Sequence, residues 1–273
     1  MNKPLSGLPL AGKTYVLTRA LHQVKRLAQQ LSTYGAQVLV FPTLDIRYLP
    51  LSAVSQALVE DALIDSRLPQ WWVFNSANGV DALWQQLNTA QQAALRDPRR
   101  TLSIACVGPQ TASRLAHYGV STQWIPAIHH AEALAEGLKE RVKPGETVQI
   151  WQAKEGRQTL QQVLQTAGCV VSTHRIYQTV KPTDCQASAL EQLLQDCIPS
   201  GVIFTSPSSV RHFADCLTPS LKQQLRSTQY HSIGPITSEA VRAYLGPVTC
   251  EANPHTLDAL VTHLCAYEPQ HQV

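Results

Sequence analysis

Thr14–Val38 reads TYVLTRALHQVKRLAQQLSTYGAQV, and Thr147–Val171 reads TVQIWQAKEGRQTLQQVLQTAGCVV. The two stretches align without a gap (147 − 14 = 133), with identities at Thr14/Thr147, Ala20/Ala153, Leu27/Leu160, Gln29/Gln162, Leu31/Leu164, Thr33/Thr166, Gly35/Gly168 and Val38/Val171. Each begins with a short apolar run, as a buried strand does. Val24, Leu27 and Leu31 then recur at i, i+3 and i+7, which is one face of a helix. Gly35 suits a left-handed helix end, and a second strand is expected to begin at Val38. Strand, helix, strand in that order makes a β-α-β unit and predicts a parallel sheet.

Working outward, two further matches follow in the same order. Trp71–Leu83 (WWVFNSANGVDAL) pairs with Gly201–Phe213 (GVIFTSPSSVRHF), offset by 204 − 74 = 130 on the phenylalanines. Ala105–Gly119 (ACVGPQTASRLAHYG) pairs with Ser232–Gly246 (SIGPITSEAVRAYLG), offset by 234 − 108 = 126 on the glycines, with one residue inserted near the end. Beyond them, Ala133-Leu134 with Leu138 is echoed by Ala259-Leu260 with Leu264. Ordered matches with falling offsets indicate a duplicated chain with small loop deletions. Helices alternating with short apolar strands predict a doubly wound α/β architecture. Ala53–Leu63 and Ser188–Gln195 supply a further helix in each half, and Asn88–Arg100 reads as a surface helix or loop.

Composition narrows the function classes. The chain has 273 residues, 44% hydrophobic and 15% charged, which suits two globular domains rather than a disordered polymer. Aromatic residues supply 6%, so the core rests on Leu, Val, Ile and Ala. A net charge of +3 without a run of like charges argues against a nucleic-acid partner, although it helps a polyanionic small molecule approach. The densest basic cluster, Arg96–Arg100, reads as a solvated loop. The seven cysteines form no CxxC pair and have no close His spacing, so they read as small apolar residues of a reducing compartment. The N-terminal stretch lacks an export-type apolar run and no segment reaches membrane-span length, so a cytoplasmic chain without a membrane partner is expected.

Ligands of open parallel sheets gather at the carboxyl ends of the strands. Four turns hold that place: Asn75-Ser76-Ala77-Asn78, Thr205-Ser206-Pro207-Ser208, Gly108-Pro109-Gln110-Thr111 and Gly234-Pro235-Ile236-Thr237. Each sets hydroxyl or amide groups and backbone N–H donors at a helix start, an arrangement that grips carboxylates or phosphates. Helix capping is the ordinary reading of each turn, and the two roles are compatible because spare N–H groups remain after capping. Recurrence in both halves favours a pair of polar rims facing one cleft. His129-His130 reads as a surface pair, and Trp71-Trp72 as the packed opening of a strand. No GxSxG, HExxH, Walker A or GxGxxG pattern is present, so no metal or cofactor is expected. Phe41–Tyr48 (FPTLDIRY) and His174–Lys181 (HRIYQTVK) occupy matching places (174 − 41 = 133) and read as paired connectors.

In VLTR at Val16–Arg19, FPTLDI at Phe41–Ile46, FNSANGV at Phe74–Val80, VGPQTA at Val107–Ala112, RIYQT at Arg175–Thr179, FTSPSSV at Phe204–Val210 and IGPITSEAV at Ile233–Val241, the chain resembles the uroporphyrinogen-III synthase (HemD-like) family. It departs from the commoner TRP at Ala20, and from TSPNAV at Asn75 and Ala77. The resemblance implies two doubly wound α/β domains joined by a two-stranded connector ladder. One would comprise residues 1–40 plus 181–273 and the other 47–173, with 41–46 and 174–180 as connectors. It implies a lyase of haem and sirohaem biosynthesis that dehydrates and cyclises hydroxymethylbilane. Loss of hydroxyl gives an azafulvene on ring A, and ring D attacks through its substituted carbon. The resulting spiro intermediate fragments and recloses with ring D inverted.

Under the same resemblance Tyr177 matches the family's cleft tyrosine, an acid or hydrogen-bond donor to the departing hydroxyl, although a tyrosine that merely packs the ladder fits the sequence nearly as well. Ser76, Thr111, Ser206, Ser208 and Thr237 are expected to hold substrate carboxylates, with Asn78 and Ser209 in the same turns counted beside them. Arg19 and Lys154, near the first strand ends, are further carboxylate candidates. The implied partner is the linear tetrapyrrole, handed over by hydroxymethylbilane synthase to a monomeric enzyme. The competing reading is a non-catalytic binder that closes on an anionic small molecule by hinge motion.

Overall fold

A computed structural model describes residues 7–65, 70–99 and 101–267. The chain divides into two compact units, Met1–Asp45 with Val180–Val273, and Ile46–Thr179. The boundaries fall inside the two stretches read as connectors.

The first unit opens with β1 (Thr14–Leu17), α1 (Leu21–Thr33) and β2 (Gln37–Val40). Val24, Leu27 and Leu31 are the buried residues of α1, as their spacing predicts. Gly35 has φ +93°, the left-handed turn that lets the chain reverse into β2; Gly168 repeats it at +85°. The second unit follows with β3 (Asp45–Tyr48), α2 (Ala53–Glu60), β4 (Gln70–Phe74), α3 (Ala77–Trp84) and α4 (Thr89–Arg96). It continues with β5 (Leu102–Cys106), α5 (Pro109–His117), α6 (Ala131–Lys139), β6 (Thr147–Ala153), α7 (Thr159–Thr166) and β7 (Val170–Val180). The chain then returns to the first unit through α8 (Ala187–Leu194), β8 (Gly201–Phe204), α9 (Pro207–Ala214), α10 (Pro219–Gln224), β9 (Gln229–Ser232), α11 (Pro235–Tyr244), β10 (Cys250–Glu251) and α12 (Leu257–Tyr267).

Three local expectations are refined. The helix expected over Ala53–Leu63 leaves α-geometry after Glu60 and runs on as a π-helical turn, Asp61–Asp65. The stretch from Asn88 is helical through Arg96, with Asn88 and Gln91 forming a reciprocal cap; Arg100 lies outside the described residues. His174–Val180 is no free linker, because it is the second half of the 11-residue strand β7 and stays paired with β6 through Tyr177. β3 lies beside β7, with Leu49 N–H donating to Ile176 O at 2.8 Å. The connector ladder is thus the edge of the second sheet.

The sheets run β10-β9-β8-β1-β2 and β3-β7-β6-β4-β5. Under the repeat, β1, β2, β8 and β9 correspond to β6, β7, β4 and β5, so the two sheets share one strand order. Even the short outer strand has a counterpart: β10 pairs through Cys250↔His231, and Trp124 bridges Ala105 at the same offset (250 − 124 = 126; 231 − 105 = 126).

Both sheets are covered on both faces. Val16 of β1 enters one core with Phe204, Phe213 and Leu190, while Tyr15 and Leu17 enter another with Leu27, Leu31 and Leu260. In the second unit Trp72 and Phe74 pack with Trp151 and Leu83, and Val73 packs with Leu134, Leu138 and Leu164. Successive strand residues point to opposite faces, so near-continuous apolar strands are what a doubly covered parallel sheet requires. All five tryptophans, at 71, 72, 84, 124 and 151, belong to the second unit.

Chain order reverses between β1 and β8 in one sheet and between β6 and β4 in the other, each pair being parallel neighbours. These are the switch points where the carboxyl ends of a doubly wound sheet open a crevice.

Candidate functional site

At the switch point of the second unit, β4 ends in Phe74 and the chain turns through Asn75 and Ser76 into α3. Ser76 is the N-cap of α3, and its hydroxyl accepts from Gly79 N–H at 3.1 Å. The same oxygen lies 2.7 Å from the Tyr177 hydroxyl, which arrives from β7 on the far side of β6. This contact needs α3 to start close against β6. A Cβ on Gly79 would meet the Trp151 carbonyl oxygen at 3.1 Å, with Tyr177 Cε1 at 3.6 Å, so a side chain there would have to push α3 off by a few tenths of an ångström.

Tyr177 is 6% exposed, and burial raises its pKa above the ordinary phenol value. The Ser76 hydrogen bond opposes that shift and the charge of Glu155 adds to it. Tyr177 therefore stays a protonated donor at neutral pH. Beside it the Asn75 amide donates to Gln152 Oε1 at 3.1 Å, and the buried Asn75 Oδ1 has no partner among the described residues. Asn78 is half-buried in the first turn of α3. Lys154 is exposed just beyond β6; its backbone N–H donates to Tyr177 O at 2.7 Å and its carbonyl accepts from the Arg175 guanidinium.

The first unit presents the related turn Thr205-Ser206 after β8. Ser206 caps α9 by accepting from Ser209 N–H at 3.2 Å. Ser209 is fully buried and its hydroxyl donates to Ser206 O at 2.7 Å, while its own carbonyl accepts from Thr43 Oγ1 at 3.3 Å. Ser209 thus holds the turn together. The i+3 position that makes a serine the partner of its own cap also drives it into the sheet. Ser208 accepts from Arg211 at 3.0 Å.

No second tyrosine completes the first unit's turn, because the position matching Tyr177 is Leu44 (177 − 133 = 44). A cation takes the place of an amide elsewhere in this copy. Arg19 follows β1, at the place that Gln152 fills in the other copy (152 − 133 = 19). Its terminal nitrogen donates to Gln23 at 3.0 Å, whereas Nε is buried without a partner, and no carboxylate among the described residues pairs with it. Burial lowers its pKa. A half-buried guanidinium without a counter-ion is costly to fold and attractive to an anion. Lys154, offered with Arg19 from sequence, is not its equivalent.

One strand further out, α5 and α11 begin at Gly108 and Gly234, and no side chain caps either helix. Thr111 and Thr237 lie in the first turns, each 4% exposed. Neither hydroxyl has a hydrogen bond among the described residues. Each unit therefore has one capped turn at its switch point and one uncapped turn beside it. Sequence reasoning missed Gly79, whose only signal was a glycine opposite Ser209 in the repeat (209 − 130 = 79). It also missed the Asn75–Gln152 bond, for which no one-dimensional signal exists.

With these rims placed, comparison with known proteins becomes informative. The model of the family described as "Uroporphyrinogen-III synthase HemD" matches residues 25–262. The chain belongs to that family. A uroporphyrinogen-III synthase of Synechococcus elongatus is 33% identical over 261 residues, 93% of this chain and 94% of that protein. Among solved structures, the uroporphyrinogen-III synthetase of Helicobacter pylori is similar with a TM-score of 0.62 at 18% identity, covering 92% of this chain and 97% of that one. A mutant uroporphyrinogen III synthase of Thermus thermophilus follows at 0.55 and 13%, covering 92% and 96%. At these identities the solved structures speak to fold, and they agree with two doubly wound α/β units.

Proposed function

We propose that the chain is a uroporphyrinogen-III synthase, dehydrating and cyclising hydroxymethylbilane with inversion of ring D. The observation that carries the reading is the buried Tyr177 phenol held 2.7 Å from Ser76 at the switch point of the second unit. It is a neutral proton donor set among polar turns with no strong nucleophile beside it. Such a site suits a reaction whose difficulty is positioning.

Tyr177 O–H donates to the ring A hydroxyl as the C–O bond breaks and water leaves, and ring A, keeping its N–H, becomes the azafulvene in its cationic form. Ring D attacks the exposed carbon, and the spiro intermediate fragments and recloses with ring D turned over. The proton that ring D sheds on reclosure returns to the Tyr177 oxygen. Burial makes phenolate costly, so the transfer is best viewed as a strong hydrogen bond tightening as the hydroxyl departs. Each pyrrole carries an acetate and a propionate. Ser76, Asn78 and Thr111 with nearby backbone N–H groups would bind carboxylates on one unit, and Ser206, Ser208 and Thr237 on the other. Arg19 supplies the buried charge and Lys154 an exposed one.

The reading places the enzyme in the cytoplasm, supported by the seven free cysteines. It works there as a monomer receiving substrate by hand-over from hydroxymethylbilane synthase. The test supplies freshly made hydroxymethylbilane and separates the oxidised products by chromatography. Isomer III is expected; isomer I alone, at the level without protein, would sink the proposal and leave the non-catalytic binder.

A further inference from the structure

The repeat extends past the Gly-Pro turns to a pair of histidines that the reaction as described does not use. Aligned without a gap from Gly108 and Gly234, the following segments diverge, and between the threonines and the next helices only Tyr118/Tyr244 and His129/His255 remain identical. Both histidines stand 21 residues after their glycine (129 − 108 = 21; 255 − 234 = 21). The bridges Trp124↔Ala105 and Cys250↔His231 lock the intervening loops in the same register, so the equivalence is structural.

Each histidine immediately precedes the cap of the next helix, where His130 accepts from Ala133 N–H at 3.0 Å and Thr256 from Ala259 N–H at 3.1 Å. From there it folds back onto the glycine that starts α5 or α11. A Cβ on Gly108 would stand 3.1 Å from His129 Cβ and 3.3 Å from its Cγ; one on Gly234 would stand 3.1 Å from His255 Cγ and 3.2 Å from its Nδ1. Both glycines are extended, with φ −175° and 169°, so their backbones tolerate any residue and the imidazole is what needs the space.

Both histidines are nevertheless exposed. The His255 Nδ1–H donates to Ala252 O at 2.8 Å, and the His129 ring has no hydrogen bond among the described residues. An apolar side chain would serve better if packing were the only need. Beside each ring lies an uncapped helix start with a threonine that is 4% exposed and whose hydroxyl has no partner among the described residues.

Resting on the synthase reading, we propose that His129 and His255 are substrate-binding residues. Each imidazole takes up a proton as the carboxylate arrives, so that a ring N–H is free to donate, and with the Thr111 or Thr237 hydroxyl and the adjacent first-turn N–H groups it binds one pyrrole carboxylate on its own unit. Glycine at 108 and 234 leaves the ring the space it occupies, and a Cβ there would displace it by a few tenths of an ångström.

The test uses the full-length protein with fresh hydroxymethylbilane. His129→Ala and His255→Ala are each expected to raise KM roughly five- to tenfold with kcat within about twofold, the signature of lost uniform binding. Gln at either position restores part of the affinity through its amide donor. Gly108→Ala raises KM like His129→Ala, yet adds nothing in the His129→Ala background, and Gly234→Ala behaves likewise with His255→Ala. Thermal midpoints stay within a few degrees throughout. Wild-type protein making isomer III while the variants keep its KM overturns the histidine assignment alone. Fully additive Gly and His effects, or a fall in kcat at constant KM, overturn it as well. Failure of the wild type to make isomer III removes the synthase reading and this inference together.

Discussion

Tyr177 and Arg19 make opposite demands on the residues around them, and their variants separate the two. The Tyr177 oxygen can accept from Ser76, which leaves its own O–H to give, and its ring is packed in protein. Tyr177→Phe removes only the donor, leaving Ser76 its capping bond, and should lower kcat about tenfold or more with the thermal midpoint little changed. An unchanged rate would leave Tyr177 a packing residue of the ladder. Arg19 has its Nε buried and unpaired. Arg19→Met keeps the length and discards the unbalanced charge, so stability should hold or rise while KM increases roughly tenfold. Parallel melting curves and saturation kinetics check both halves of that statement; a destabilised Arg19→Met protein with normal KM would make Arg19 structural. Ser76 and Ser206 were readable from sequence because caps announce themselves by residue type before an apolar run. That Arg19 lacks a carboxylate was not, since pairing depends on which acidic residues the fold brings near.

β7 shows at the level of elements why some of the fold escaped reading. His174–Lys181 is rich in β-branched and aromatic residues, a pattern that a linker ladder and a buried strand share, and only tertiary pairing with β6 decides between them. The β-α-β repeats were plain because the helical spacing of Val24, Leu27 and Leu31 and the glycine stop are local signals. His174 is the clearest product of the strand's burial. Its ring stacks on Trp151 at 4.2 Å, Nδ1 meets Ser55 at 2.8 Å and Nε2 meets Gln149 at 2.6 Å. Burial lowers its pKa from 6.5 to about 4. The unfolded chain thus takes up a proton near pH 6.5 that the folded chain refuses until about 4. Stability is full above that interval, falls as pH drops through it, and loses nothing more from this group below it. The loss is at most about 3 kcal/mol. Urea unfolding at pH 7 and pH 4.5 should show a smaller difference for His174→Gln than for the wild type; equal differences would exclude His174 as the titrating group.

For the whole molecule, the two units own separate cores, and the tryptophans are all in the second. Intrinsic fluorescence therefore follows Ile46–Thr179, whereas far-ultraviolet circular dichroism follows both units. Leu27→Ala, at a fully buried site of the first unit, should cost about 2–5 kcal/mol there. It should shift part of the dichroism transition and leave the fluorescence transition in place. Coincident shifts would show that the chain unfolds as one cooperative body.

The interleaved order of the units also sets a timetable for synthesis. β1 is an interior strand, flanked by β2 and β8, yet β8 begins 184 residues after β1 ends (201 − 17 = 184). On the ribosome the opening β-α-β must wait with one strand edge unpaired while the whole of Ile46–Thr179 is made and can fold. A premature stop between residues 180 and 200 would release a tryptophan-bearing unit that is complete, tethered to a first β-α-β without its partner. Such a product would glow like a folded protein and aggregate like an unfinished one.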